Sequence, residues 1–115
     1  MQTYAEVASD LLNEAAIFFM RLTESNEAIK EQMEQNAGTY RQMAQLIKES
    51  PEGKVEHLSH GEMAGRLLKD AADFLRTIAA SNEPIAEQME QNADVFEKVA
   101  TRVAENPTGQ LADEL

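Results

Sequence analysis

The heptapeptide EQMEQNA occurs twice in this chain, at residues 31–37 and again at residues 87–93. Sliding the sequence against itself by 56 positions aligns residues 1–53 with residues 57–109 and gives 22 identities without a gap. Self-similarity at a fixed period indicates one structural unit that is used twice. The sequence therefore predicts a single domain over residues 1–115, with repeats at 1–53 and 57–109 and a short acidic tail at 110–115.

The composition is typical of an all-α protein, because Ala, Glu, Gln, Leu and Met are abundant and aromatic residues make up only 5%. Strands are not expected. The net charge of −11 repels phosphate backbones and anionic lipid, which disfavours binding to nucleic acid or membranes. The first residues lack a signal-peptide pattern, and the run AAIFFM is too short to span a bilayer. We expect a cytoplasmic protein. The absence of cysteine excludes disulfides, thiolate zinc sites and cysteine nucleophiles.

The helix boundaries are marked by the same signals in both repeats. Thr3 with Glu6 and Ser59 with Glu62 have the spacing of a capping box, in which the hydroxyl and the carboxylate satisfy the first amides of a helix. Pro84 is tolerated in the first turn of a helix but would break the interior of one. These signals predict helices near residues 3–24, 26–49, 59–80 and 82–105, joined in the middle by a linker at 50–58.

All four predicted helices carry apolar stripes at heptad spacing, with neighbouring apolar positions that widen each stripe. A hairpin of two such helices cannot cover its own stripes, so the hairpins must pack on each other or on another chain. The sequence thus predicts an antiparallel four-helix bundle, built from two helical hairpins with internal pseudo-two-fold symmetry. An intertwined dimer that exchanges hairpins stays open, because the linker is long enough for either arrangement.

Two asparagines interrupt the stripes. Asn36 and Asn92 occupy seam positions, with Gln32 and Gln88 one turn away on the flank of each seam. A buried amide without partners would cost about 1–3 kcal/mol, so we expect these side chains to be hydrogen-bonded core amides. A seam asparagine can also fix helix register. Exposure to water and contact with a ligand are the alternatives.

Differences between the repeats indicate a candidate contact surface. Ile17 aligns with Asp73, and Met20 aligns with Arg76, at positions that point away from the seam. Together with Phe19, Ile17 and Met20 are the interface candidates for a homodimer or for another protein partner.

The sequence offers little for catalysis. The E-x-x-E pairs face outward and lack the E-x-x-H partners of di-iron bundles, and no phosphate-binding loop or nucleophile elbow occurs. His57, His60 and Glu62 are weak candidates for a metal site. We therefore expect no catalytic residue and no cofactor. The predicted function is a non-enzymatic helical protein-protein interaction or scaffold protein that self-associates; the alternative is a small-molecule or metal-binding bundle.

Overall fold

A computed structural model of the chain describes residues 2–24, 27–81 and 83–109. The helices are α1 (Tyr4–Thr23), α2 (Lys30–Glu49), α3 (His60–Ser81) and α4 (Glu83–Glu105), and a single turn of 3-10 helix (Glu27–Ile29) precedes α2. The predicted all-α class is confirmed, and the helix boundaries fall close to those read from the sequence. The predicted acidic tail at 110–115 lies outside the described residues.

The linker contains a short antiparallel ladder, so the expectation of no strand is wrong there. Strands β1 (Lys54–Val55) and β2 (Leu58–Ser59) pair, with Lys54 opposite Ser59 and Val55 opposite Leu58. Between them Glu56 adopts a left-handed conformation with a φ of 57°. Tight hairpin turns use this conformation, because its twist matches that of the flanking strands. A short linker that must reverse direction forms the ladder despite the helical composition around it.

The predicted capping boxes are present at the start of both hairpins. The Glu6 amide donates to Thr3 Oγ1 at 3.2 Å, and the Thr3 amide donates to Glu6 Oε1 at 2.8 Å. The Glu62 amide donates to Ser59 Oγ at 3.0 Å, and the Ser59 amide donates to Glu62 Oε1 at 3.1 Å. The backbone hydrogen bond from the cap residue holds the pKa of each glutamate carboxyl below its ordinary value.

The start of each hairpin is also bonded to the end of the other. The His60 amide donates to the Gly53 carbonyl at 2.8 Å, which ties α3 to the turn that follows α2. The Tyr4 amide donates to the Gly109 carbonyl at the same distance, 2.8 Å, which ties α1 to the turn that follows α4. The two donors, Tyr4 and His60, are 56 residues apart in the sequence, and so are the two acceptors, Gly53 and Gly109. The internal repeat remains an interpretation of the sequence, and these matched bonds agree with it.

The four helices pack as a bundle within one chain. α1 packs along α2, and α3 packs along α4; between the hairpins, α1 contacts both α3 and α4, while α2 contacts α3. The predicted four-helix bundle is confirmed. Small side chains allow close packing, since many buried positions are alanines. The largest fully buried side chains are Leu12, Ile47, Leu68 and Val103.

α3 and α4 approach closely at two glycines of α3. A Cβ atom added at Gly61 would collide with the carbonyl oxygen of Val103, and one added at Gly65 would lie 2.8 Å from the carbonyl oxygen of Ala100. Glycine is required here because only it leaves room for the facing backbone.

The corresponding contact between α1 and α2 uses a hydroxyl instead of a glycine. Ser9 occupies the position that aligns with Gly65, and it is buried. Its Oγ donates to the Ala44 carbonyl at 2.8 Å, and Ala44 aligns with Ala100. The two hairpins therefore satisfy the same helix contact in different ways.

We expect Gly61→Ala to destabilise the protein by about 1–3 kcal/mol, because the facing backbone of Val103 must move. The matched control is Gly38→Ala in α2, where an added Cβ meets nothing within 4 Å. Removing that exposed helical glycine should stabilise the protein by about 0.5–1 kcal/mol. Urea denaturation measures both changes, and effects of the same sign would contradict the close packing of α3 on α4.

The capping boxes predict a specific acid dependence. Each folded-state pKa lies below the ordinary glutamate value of 4.5, so the stabilisation is present above pH 4.5 and is lost as pH falls through the folded pKa. A double variant, Glu6→Gln and Glu62→Gln, keeps an oxygen acceptor at each cap but cannot titrate. Its free energy of unfolding should fall less steeply than that of the wild type below pH 4.5. Replacing the exposed Glu31 and Glu87 by glutamine controls for the loss of two carboxylates, and an equally shallow slope in that control would contradict the assignment.

Candidate functional site

An aromatic cluster joins the two hairpins in the core. The ring of Phe19 meets that of Tyr40 edge-on, with centroids 5.0 Å apart, and meets that of Phe74 at 5.3 Å. Phe18 extends the cluster, with its centroid 6.2 Å from that of Phe74. Edge-to-face contacts are the favoured geometry for such rings. Phe19 and Tyr40 are buried while Phe18 and Phe74 are half-buried, so the cluster reaches the surface on one side.

On that side a groove with a volume of about 480 Å³ opens between α1, α3 and α4. We call it the α1/α4 groove. Two aliphatic side chains on its rim are exposed, Ile17 of α1 at 49% and Val95 of α4 at 51%. Apolar side chains that protrude beside an apolar cavity are typical of contact surfaces. The other apolar residues that line the groove form its floor: Leu11, Ala15, Phe18, Phe19, Ala71, Phe74, Leu75, Met89 and Phe96.

The polar groups of the α1/α4 groove are few. Glu14 and Arg21 of α1 and Asn92 of α4 line it, and all three are exposed. Within the described residues the ion pairs join Arg76 to Asp94 and Glu97, so they leave Glu14 and Arg21 without a charged partner. The groove thus offers one carboxylate, one guanidinium and one amide around an apolar floor.

The related face of the other repeat is built differently. Ile17 aligns with Asp73, and Val95 aligns with Thr39, so both apolar rim residues have polar counterparts. A smaller groove of about 380 Å³ lies between α2 and α3, where Leu46 is 39% exposed. We call this the α2/α3 groove. The wide apolar rim is therefore a property of the α1/α4 groove.

Tyr40 and its aligned residue Phe96 are a second difference between the two hairpins. Tyr40 aligns with Phe96, and its hydroxyl donates to the Leu67 carbonyl at 2.7 Å, which ties α2 to α3. Phe96 has no hydroxyl to make the corresponding bond, and it lies in the floor of the α1/α4 groove. Burial, with a smaller contribution from the charge of Asp70, raises the pKa of the Tyr40 phenol far above the physiological range. The phenol therefore remains a neutral donor.

The predicted interface residues are only partly at the surface. Ile17 is exposed, as expected, and Met20 is half-buried against the core. Phe19 is 4% exposed, so it lies beneath this surface as one of the residues that line the groove, and its role in an interface stays a prediction. Its ring is turned inward, where it packs on Tyr40 and Phe74. The sequence reasoning missed Val95, although its alignment with Thr39 is the same kind of signal that identified Ile17.

The predicted core amides also need correction. Asn36 is half-buried, and its Oδ1 accepts a bond of 3.3 Å from Gln32 Nε2 in its own helix. Asn92, Gln32 and Gln88 are exposed. The start of α4 is poorly covered, since Ile85 is 36% exposed, and the seam position of Asn92 opens into the groove. A pair of buried seam amides is therefore not formed.

The weak metal candidates are not brought together. His60 is buried, and its Nδ1 donates to the Ser50 carbonyl at 2.7 Å. The Glu62 carboxylate accepts from the Ser59 amide, while His57 is exposed in the turn between β1 and β2. In the parts of the chain that the structure describes, no group of three His, Asp or Glu side chains is arranged to hold a metal ion.

Comparison of the chain with protein-family models, with curated proteins and with solved structures gives no match. Among the described residues, no helix has both the length and the apolar character needed to cross a bilayer.

We expect Tyr40→Phe to lower the free energy of unfolding by about 0.5–1.5 kcal/mol, because the bond to the Leu67 carbonyl is lost while the ring contacts remain. Tyr40→Leu removes the ring contact with Phe19 as well and should cost more. Chemical denaturation measures both. A Tyr40→Phe variant as stable as the wild type would show that the hydroxyl does not hold α2 to α3.

Proposed function

We propose that this chain is a non-enzymatic, cytoplasmic interaction protein that binds another protein through the α1/α4 groove. The observation that carries the proposal is the pair of half-exposed aliphatic side chains, Ile17 and Val95, on the rim of an aromatic floor. Covering them would remove apolar surface from water, at a gain of about 25 cal/mol per Å².

The shape of the groove favours a helical partner. It opens between α1, α3 and α4, and an amphipathic helix can place one row of apolar side chains into a groove between helices. The aromatic rings of Phe18, Phe74 and Phe96 give these anchors a rigid surface. Rigid aromatic side chains contribute large contact area at low entropic cost.

The residues that line the groove support binding rather than catalysis. They include neither histidine nor serine, and their titratable groups are Glu14 and Arg21, which are exposed on α1. Neither group is adjacent to a nucleophile of the groove that it could activate.

The volume of the groove favours one second candidate, the binding of a small apolar molecule. About 480 Å³ is within the range of ligand pockets, and Arg21 and Asn92 would supply polar contacts at one end. A ligand of this kind stabilises the folded state, so a panel of small apolar compounds should raise the melting temperature if this candidate is right. Loss of that effect in Val95→Thr would locate the site.

The interaction proposal is tested by placing a photo-crosslinking amino acid at position 17 or at position 95 in the native cell. We expect irradiation to give protein adducts from both positions, because each lies on the rim of the groove. Mass spectrometry then identifies the attached protein.

The control position is Thr101, which is exposed on α4 and does not line the groove. It should give few adducts. Equal labelling from position 101, or no protein adduct from positions 17 and 95, would contradict the proposal.

A further inference from the structure

The exposed ridge of α1 beside the groove carries a symmetric pattern of charge. Glu14, Ile17 and Arg21 are separated by three and four residues, so they lie in one row along the helix. All three line the α1/α4 groove, and all three are exposed. The row therefore has a negative end, an aliphatic centre and a positive end, with about 10 Å of helix between the two charges.

This row is complementary to itself when it is turned around. If two α1 helices meet antiparallel across a two-fold axis beside Ile17, Glu14 faces the partner's Arg21 and Arg21 faces the partner's Glu14. The two Ile17 side chains then meet at the axis. We propose that the occupant of the α1/α4 groove is a second copy of this chain, bound in this antiparallel arrangement. The inference rests on the proposed function, since it names the partner that the groove binds.

The groove explains how the apolar centre is buried. Each Ile17 lies on a rim, so in the antiparallel arrangement it enters the groove of the other copy and contacts the floor near Phe18 and Phe96. Val95, on the opposite rim, covers it from the α4 side. The same surface is used by both copies. Such an interface closes on itself, so the assembly stops at a dimer.

The equivalent row of the other repeat cannot pair in this way. The residues of α3 that align with Glu14, Ile17 and Arg21 are Asp70, Asp73 and Thr77. This row has two negative charges, no aliphatic centre and no cation. Two copies that met through it would bring carboxylates together, which disfavours association. The charge pattern that self-pairing requires is therefore present in the row on α1 and absent from the aligned row on α3.

The overall charge of −11 opposes association at long range. At an ionic strength of about 0.15 M this repulsion is screened over about 8 Å, while the facing charges of the interface are closer than that. We therefore expect a dimer that forms at physiological ionic strength and weakens when salt is removed.

The test uses charge reversals that can be mixed. Glu14→Arg gives a row with two positive ends, and Arg21→Glu gives a row with two negative ends. Each variant alone should dimerise at least tenfold more weakly than the wild type, because like charges meet at both ends of the interface. An equimolar mixture should form a heterodimer with affinity restored to within about threefold, and so should the double variant with itself. Analytical ultracentrifugation at about 0.15 M salt measures these affinities.

The matched control is Asp70→Arg, which makes the same change of net charge as Glu14→Arg at the aligned position of α3. It should leave the dimer affinity within twofold of the wild type or raise it slightly. Circular dichroism confirms that every variant is folded.

Three results would overturn the inference: a wild type that stays monomeric at millimolar concentration, single reversals that leave the affinity unchanged, or a mixture that recovers nothing. These results leave the proposed function intact if positions 17 and 95 still crosslink to a different protein in the cell. If those positions give no adducts at all, the proposed function fails as well.

Discussion

The structure depends on one constraint: each helical hairpin has an apolar face that it cannot bury by itself. The four largest fully buried side chains come from both hairpins. They form two aligned pairs, Leu12 with Leu68 and Ile47 with Val103. Each hairpin contributes one residue of each pair to the common core. The ring of Phe19 connects the halves, since it packs both on Tyr40 of its own hairpin and on Phe74 of the other.

Several aligned positions make corresponding backbone contacts with different side chains. A buried aromatic residue, Tyr4, begins α1 where a buried histidine, His60, begins α3, and both donate their amides to the carbonyl of a glycine in the other half. Ser9 bonds to the carbonyl of Ala44 where Gly65 leaves room for that of Ala100. These differences between the hairpins leave the helix contacts in place.

The α1/α4 groove is lined by several residues that differ from their aligned counterparts. Tyr40 bonds across to Leu67, whereas Phe96 cannot make the matching bond and instead lies in the floor of the groove. Aliphatic rim residues replace the polar ones found on the related face. Two hairpins with aligned sequences thus differ in the surface they present, and both functional proposals depend on the α1/α4 groove.

Much of the fold could be predicted from the sequence because its signals are local. Capping boxes and Pro84 determine helix ends through hydrogen bonds and sterics within a few residues, and the heptad period identifies the inward face. The exposure of the Asn92 side chain could not be predicted in this way. A seam position indicates which way a side chain points but not whether a neighbouring helix extends far enough to cover it, and the start of α4 is left partly uncovered. The depth of Phe19 and the ladder at residues 54–59 likewise depend on tertiary packing and on the geometry of the linker.

Separating the hairpins tests the central constraint most directly. Residues 1–53 and 54–109, prepared as two chains, should each lack a cooperative thermal transition as a monomer at micromolar concentration, and a mixture of the two should regain the helicity and the cooperative unfolding of the intact protein. A hairpin that unfolds cooperatively as a stable monomer would contradict the account, because it would show that one hairpin can cover its own apolar face.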